Sequence, residues 1–72
     1  MISYAPFWET LKQKNISTYT LREKLNVNAN TVQRMKNNEY LTLRTVEDFC
    51  RLLDCRIEDV VVYVPDEPHR PG

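Results

Sequence analysis

Apolar residues recur at helical spacing through most of this chain. Phe7, Trp8 and Leu11 share one face at i, i+1 and i+4, which predicts a first helix over residues 6–14. Pro6 fits the first turn of that helix, because the N–H that proline lacks has no partner there anyway. The pattern of period 3.6, rather than the alternation typical of strands, continues to about residue 60.

Three further helices are predicted to begin at residues that cap a helix N-terminus. A side-chain oxygen just before an apolar repeat accepts a hydrogen bond from the first free N–H groups of a helix, and Ser17, Asn28 and Thr42 stand at such positions. Asparagine tolerates the left-handed conformation that ends many helices, so Asn26 and Asn38 predict the ends of the second and third helices. The apolar sets are Leu21 and Leu25, then Val32 and Met35 in a helix running to about Lys36, then Val46, Phe49, Cys50 and Leu53, and a short fifth helical turn is predicted over residues 57–60.

A β-branched run at residues 60–64 predicts a strand or an extended tail. A lone strand needs a partner, and residues 2–4 have the same extended character, in the same chain or in a second copy. Residues 65–72 are rich in proline and polar residues, and we expect a flexible tail there. The sequence therefore predicts an all-α domain over residues 1–64, with four to five short helices and, as an option, a small β-pairing of the termini.

Length and cysteine usage narrow the class of protein. A chain of 72 residues makes one domain with a thin core, and it has no apolar run near the roughly 18 residues that span a bilayer. The N-terminus lacks the basic-then-apolar pattern of a signal peptide, so a cytoplasmic protein with no membrane partner is expected. Cys50 and Cys55 have neither the spacing nor a nearby histidine for zinc, and we expect them to pack as small hydrophobic residues.

The sequence gives no support for catalysis. His69 is the one histidine and lies in the predicted tail, and the neighbouring acids Glu58 and Asp59 suit the first turn of the fifth helix. Gly72 is the one glycine, so no phosphate-binding loop is present. We therefore expect no enzyme, no cofactor, no metal and no small-molecule substrate. Among the aromatic residues, Phe7, Trp8, Tyr19 and Phe49 are expected in the core, and Tyr40 and Tyr63 are left open.

The charge is unevenly distributed although it sums to zero. Residues 11–46 contain seven basic and two acidic residues, whereas residues 47–72 contain seven acidic residues and three arginines. One face can therefore be positive and suited to a phosphate backbone. Charge alone favours the simpler interpretation of ordinary solvated surface.

The third predicted helix carries the most informative polar face. At about 100° per residue, Asn28, Thr31, Val32 and Met35 share one side. The opposite side carries amides and guanidinium without a carboxylate: Asn30, Gln33, Arg34 and Asn37. Asparagine and glutamine can pair with the N6/N7 edge of adenine, and arginine with O6/N7 of guanine. Periodicity alone would still favour a helix whose outer face is merely solvated.

Residues 16–60 resemble the Cro/lambda-repressor-type helix-turn-helix family, also called XRE-like. The similar stretches are residues 16–28, 30–35, 41–46 and 52–60, where helices, caps and turns fall in register. Residues 1–4 with Trp8, residues 21–24 and residues 63–66 resemble a compact single-domain branch of it. The departures are Asn26 and Asn38 where the family has glycine, Arg22 where it has a small alanine, and Lys36 where it often has an acid.

The resemblance implies a bacterial or phage transcriptional regulator, repressor-like, that binds double-stranded DNA with residues 28–37 in the major groove. It also implies pseudo-palindromic sites bound by dimers, and a homodimer through residues 60–64 is one option, with a monomer as the other. An alternative is a protein-interaction module, such as an antitoxin or anti-repressor, on the same scaffold. The implied base contacts are Ala29, Asn30, Gln33 and Arg34, and the implied phosphate contacts are Thr18, Asn28, Lys36, Asn37 and Arg44.

Overall fold

The structure, a computed structural model, describes residues 1–65. The elements are β1 (Ile2–Ser3), α1 (Ala5–Gln13), α2 (Thr18–Glu23), α3 (Ala29–Lys36), α4 (Leu43–Leu53), a 3₁₀ turn (Ile57–Asp59) and β2 (Val62–Tyr63). The predicted all-α class with a small β-pairing is confirmed. No helix within residues 1–65 is long and apolar enough to cross a membrane. Apart from Pro65, the predicted tail, with His69, lies outside the described residues.

The helices begin where the capping residues predict. Each of the three caps is confirmed by a hydrogen bond, and each such cap typically stabilises a helix by about 1 kcal/mol. The side chain of Ser17 accepts from the N–H of Thr20 at 3.1 Å, that of Asn28 from Asn30 at 2.7 Å, and that of Thr42 from Thr45 at 3.2 Å. α1 has no side-chain cap, but Pro6 lies in its first turn as expected.

Each of the four α-helices is followed by a residue in the left-handed conformation. Positive φ angles occur at Asn15 (58°), Asn26 (57°), Asn38 (54°) and Asp54 (54°), of which Asn26 and Asn38 were predicted. After three of these residues, the next N–H donates to the carbonyl five positions earlier: Ile16 to Leu11 at 2.8 Å, Glu39 to Arg34 at 2.9 Å, and Cys55 to Cys50 at 3.0 Å. This Schellman closure brings the first and last of the six residues side by side.

α2 ends earlier than predicted, because two successive N–H groups donate to the same carbonyl. The N–H groups of Lys24 and Leu25 both donate to the carbonyl of Thr20, at 2.9 and 3.1 Å, so the regular helix ends at Glu23. Leu25 nevertheless packs against the core. The wide turn through Asn26 then leads into α3.

The core gathers residues from all four helices and both ends of the described chain. The ring of Phe7 meets Trp8 and Phe49 edge-on, each at 4.9 Å between ring centroids. The buried apolar residues are Tyr4, Phe7, Leu11, Leu21, Val32, Met35, Val46, Phe49, Leu53 and Val60. Cys50 and Cys55 are half-buried free thiols that pack against this cluster.

One predicted core residue is wrong: Tyr19 is 63% exposed. Tyr19 stands two positions before the buried Leu21, which places it about 200° away around α2 and so on the solvent side. Trp8 is half-buried, and the two tyrosines that the sequence left open, Tyr40 and Tyr63, are both exposed.

The terminal segments pair within the chain. β1 and β2 are antiparallel, with Ile2 opposite Tyr63 and Ser3 opposite Val62. β2 is shorter than the β-branched run at residues 60–64 predicts. Val60 is not part of the strand, because it directly follows the 3₁₀ turn and is fully buried. The hydroxyl of Thr10 donates to the carbonyl of Asp59 at 2.8 Å and ties α1 to this turn.

Candidate nucleic-acid interface

The first turn of α3 is open to a ligand. The extended backbone of Asn28 (φ −62°, ψ 132°) directs its side chain back to the N–H of Asn30, which satisfies one of the free donors of the turn. The first turn contains no acidic residue. The positive end of the helix dipole is therefore available to an anion.

The outer face of α3 has the residues and exposure that the sequence predicts. Ala29, Asn30, Gln33 and Arg34 are all exposed, whereas Val32 and Met35 are buried beneath them. An open hollow along this face is lined by Asn28, Asn30, Thr31, Gln33 and Arg34. The structure thus brings amide groups and one guanidinium together on a single solvent-facing strip.

A second hollow begins where the first ends, and Arg34 lies between the two. It is lined by Arg34 and Asn37 from the end of α3, by the loop that follows, and by the N-terminal segment. The loop residues are Asn38, Glu39 and Tyr40, and Tyr40 is 76% exposed. Sequence periodicity missed this extension, because it depends on contacts between residues more than 30 positions apart.

The buried Tyr4 fixes the loop after α3. Its N–H donates to Oδ1 of Asn38 at 3.2 Å, and its hydroxyl donates to the carbonyl of Glu39 at 2.7 Å. Burial raises the pKa of the Tyr4 phenol, although a backbone hydrogen bond from Leu41 acts in the opposite direction. A neutral phenol therefore holds the loop over the ordinary range of pH.

The carboxylate of Glu39 contacts two of the predicted DNA-contacting residues. Its Oε1 lies 3.7 Å from Nε of Arg34, and its Oε2 accepts a hydrogen bond from Nδ2 of Asn37 at 3.4 Å. Glu39 was not among the predicted site residues. The available signal was the left-handed Asn38 just before it, which places residue 39 beside residue 34.

The predicted phosphate contacts fall into two groups. Thr18 is half-buried at the first position of α2, and Asn28, Lys36 and Asn37 are exposed at the two ends of α3. Arg44 lies elsewhere. Its Nε is 3.7 Å from Oδ1 of Asp48, and it lines an apolar groove along α4 and the 3₁₀ turn, a groove that contains no residue of α3.

The pairing of charges differs between the two halves of the chain. On α4, Arg51 contacts Glu47 at 2.9 Å and Asp48 at 3.2 Å, so the acids of that helix are largely matched by its own arginines. Within residues 1–65, four basic side chains make no ion pair: Lys14, Arg22, Lys24 and Lys36. The positive charge left for a partner therefore belongs to the end of α1, to α2 and to α3.

Residues that could hold a metal are sparse in the described part of the chain. Residues 1–65 contain no group of three or more histidine, cysteine or acidic side chains suited to a metal ion. Burial raises the pKa of the Cys55 thiol, and the neighbouring Cys50 and Asp59 raise it further. Cys55 is therefore a thiol at neutral pH.

Comparison with known proteins agrees with this geometry. A family model described as the Cro/C1-type HTH DNA-binding domain matches residues 7–66. The crystal structure of the transcriptional regulator VanUg (Form II) is similar, with a TM-score of 0.80 and 26% sequence identity over 90% of this chain and 87% of that chain. No curated protein matches this chain.

Proposed function

The chain belongs to the Cro/C1-type helix-turn-helix DNA-binding domain family, and from this premise we propose that α3 enters the major groove of duplex DNA and reads base edges there. The observation that carries the proposal is the outer face of α3. Its exposed side chains are amides and a guanidinium, and the helix itself contains no carboxylate. A carboxylate on the helix would repel phosphate groups, so a helix without one is suited to lie against DNA.

Each exposed residue of this face has a role in the proposal. Asn30 and Gln33 offer paired donor and acceptor groups to adenine, and Arg34 offers two donors to guanine. Ala29 contacts a thymine methyl group. The four residues lie within six consecutive positions of one helix, 29–34, which is about the reach of a recognition helix across three to four base pairs.

Phosphate groups are bound around this strip rather than on it. Thr18 and Asn28 stand at the N-termini of α2 and α3, the positive ends of the two helix dipoles, and Lys36 and Asn37 stand at the opposite end of α3. Arg44 contributes less than these four residues, because Asp48 already lies 3.7 Å from it. Bound in this way at a promoter, the protein excludes other proteins from the site and regulates as a repressor does.

The test is selection of sequences from a random duplex pool, followed by fluorescence anisotropy at two salt concentrations. The variant is Asn30→Ala/Arg34→Ala. A matched control, Gln13→Ala/Arg51→Ala, removes the same two functional groups from exposed positions on α1 and α4. We expect an enriched motif that the variant loses and the control keeps. Arg34→Ala alone should cost about 1–3 kcal/mol on the selected duplex and relax specificity at one position.

The other outcomes decide between specific alternatives. A palindromic motif with two half-sites would favour a homodimer on DNA, and a single half-site a monomer. Affinity that does not fall with salt would contradict phosphate binding, because neutralised phosphates release counterions. Absence of enrichment together with salt-independent behaviour would favour a protein-interaction module, such as an antitoxin or anti-repressor, on the same fold.

A further inference from the structure

The carboxylate of Glu39 is an unexpected group at a surface proposed to bind DNA. Glu39 and Glu23 are the two acidic residues within residues 11–46. Any carboxylate near a phosphate backbone lowers affinity by repulsion. Glu39 also stabilises the fold little through its ion pair, because its side chain and that of Arg34 are 51% and 57% exposed.

The main chain of Glu39 is held next to Arg34. The Schellman closure at Asn38 places residue 39 beside residue 34, through the 2.9 Å bond from the N–H of Glu39 to the carbonyl of Arg34. The hydroxyl of the buried Tyr4 then holds the carbonyl of Glu39 at 2.7 Å. The core therefore fixes the main chain of residue 39 next to Arg34, and the half-exposed carboxylate extends from this fixed point.

Glu39 contacts one nitrogen of Arg34 and one of Asn37, and the remaining polar atoms of both side chains stay available to DNA. The carboxylate approaches Arg34 at Nε, so both terminal Nη groups remain for O6 and N7 of guanine. It accepts from Nδ2 of Asn37, which leaves Oδ1 of that amide available. A flexible arginine that is held at Nε loses less rotamer freedom when it meets a base.

We propose that Glu39 is a positioning residue that sets specificity: its carboxylate orients Arg34 and Asn37 toward DNA and penalises binding to duplexes that give Arg34 no guanine. This inference rests on the proposed function of α3. On a duplex that offers Arg34 a guanine, the orientation of Arg34 offsets the repulsion between the Glu39 carboxylate and the phosphates. On any other site, only the repulsion remains, so the carboxylate widens the difference between the two affinities.

The test compares Glu39→Gln with Glu23→Gln, in the full chain. Both variants remove one exposed acid from the basic half, but Glu23 lies on α2 and makes no ion pair within residues 1–65. Anisotropy gives the dissociation constants for the selected duplex and for a scrambled one, and their ratio is the specificity. The main-chain closure does not depend on the carboxylate, and urea unfolding checks that both variants fold.

For Glu39→Gln we expect tighter binding to scrambled DNA and a specificity ratio lower by roughly three- to tenfold, in the range of coupling between residues in contact. Glu23→Gln should change both affinities by one common factor and leave the ratio unchanged. In an Arg34→Ala background, Glu39→Gln should no longer alter the ratio. This last comparison separates positioning of Arg34 from a general effect of charge.

The inference is overturned if Glu39→Gln and Glu23→Gln shift both affinities alike, since Glu39 is then only a repulsive charge. It is also overturned if the effect on the ratio persists without Arg34. A wild-type protein that enriches no sequence would instead overturn the proposed function itself. Enrichment with an unchanged ratio in Glu39→Gln would overturn the positioning role alone.

Discussion

The ends of α1 and α3 have nearly the same backbone and opposite chemistry. Each closes through an asparagine at positive φ, Asn15 at 58° and Asn38 at 54°. The closing hydrogen bonds measure 2.8 and 2.9 Å. At the end of α1 the paired residues are Leu11, which is buried, and Ile16, which packs against the core. At the end of α3 they are the exposed Arg34 and Glu39.

The difference shows that the closure by itself does not determine whether a helix end contributes to stability or to recognition. It fixes only which two residues are neighbours, and the residue types decide what the contact is used for. An apolar pair hides surface from water and stabilises the fold. A charged pair in solvent contributes little to stability. Here it brings Glu39 against Arg34, the contact from which we infer the positioning role. The comparison can be tested by changing one end at a time.

The largest effect is expected for Leu11→Ala at the end of α1. Loss of a buried leucine leaves a cavity, so the free energy of unfolding should fall by about 2–5 kcal/mol. Urea denaturation measures this fall. Leu43→Ala removes the same atoms from a residue that is 76% exposed, and it should change stability by no more than about 0.5 kcal/mol. Equal effects of the two variants would contradict the assignment of the α1 closure to the core.

An intermediate effect is expected for Tyr4→Phe, which removes the bond that ties the α3 closure to the core. Loss of the hydroxyl from the carbonyl of Glu39 should cost about 1 kcal/mol at neutral pH. Tyr19→Phe, at an exposed tyrosine, is the control and should cost close to nothing. Equal losses would indicate that the Tyr4 hydroxyl does not support the loop.

The same variant makes the pH dependence testable. Burial raises the pKa of Tyr4 above its ordinary 10.0, so the folded protein holds this proton more tightly than the unfolded chain does. That part of the stability is fully present below pH 10 and is lost as the pH rises through the folded-state pKa. The advantage of the wild type over Tyr4→Phe should therefore stay constant below about pH 9 and shrink as the pH rises above about 10, and an advantage that grows there would contradict this.

The smallest effect is expected for the coupling of Arg34 and Glu39 in the absence of DNA. A double-mutant cycle with Arg34→Ala and Glu39→Ala should give about 0.2–0.5 kcal/mol of coupling in the free energy of unfolding, because both side chains are half exposed. Urea denaturation of the four proteins gives the value. Coupling above about 1 kcal/mol would mean that the α3 closure serves stability as the α1 closure does.

Local chemistry made much of the fold predictable. The caps Ser17, Asn28 and Thr42 are side-chain effects within three residues, and the left-handed Asn26 and Asn38 depend on a single residue type. The outer face of α3 follows from helical period alone, and its exposure agrees with the structure. The functional assignment of that face came from family resemblance rather than from period.

What the sequence did not reveal depends on distant contacts. Tyr4 was expected only as part of an extended segment, but it is buried and holds Asn38 and Glu39 across 34 and 35 positions. The resemblance implies that Arg44 contacts phosphate, and the sequence did not predict its contact with Asp48 on the same helix. Tyr19 was expected in the core because it is aromatic, yet its position on α2 faces solvent.

The ribbon formed by β1 and β2 has a consequence for the order in which the chain folds. Its pairing joins residues roughly sixty positions apart, and the entropy of closing so long a loop is lost before the contacts of the ribbon can form. Local helices therefore form early and the ribbon late, as contact order predicts. Tyr4 directly follows β1, so the loop that holds Glu39 beside Arg34 gains its final shape only when the ribbon closes. During synthesis, the recognition surface should mature only after Tyr63 has left the ribosome.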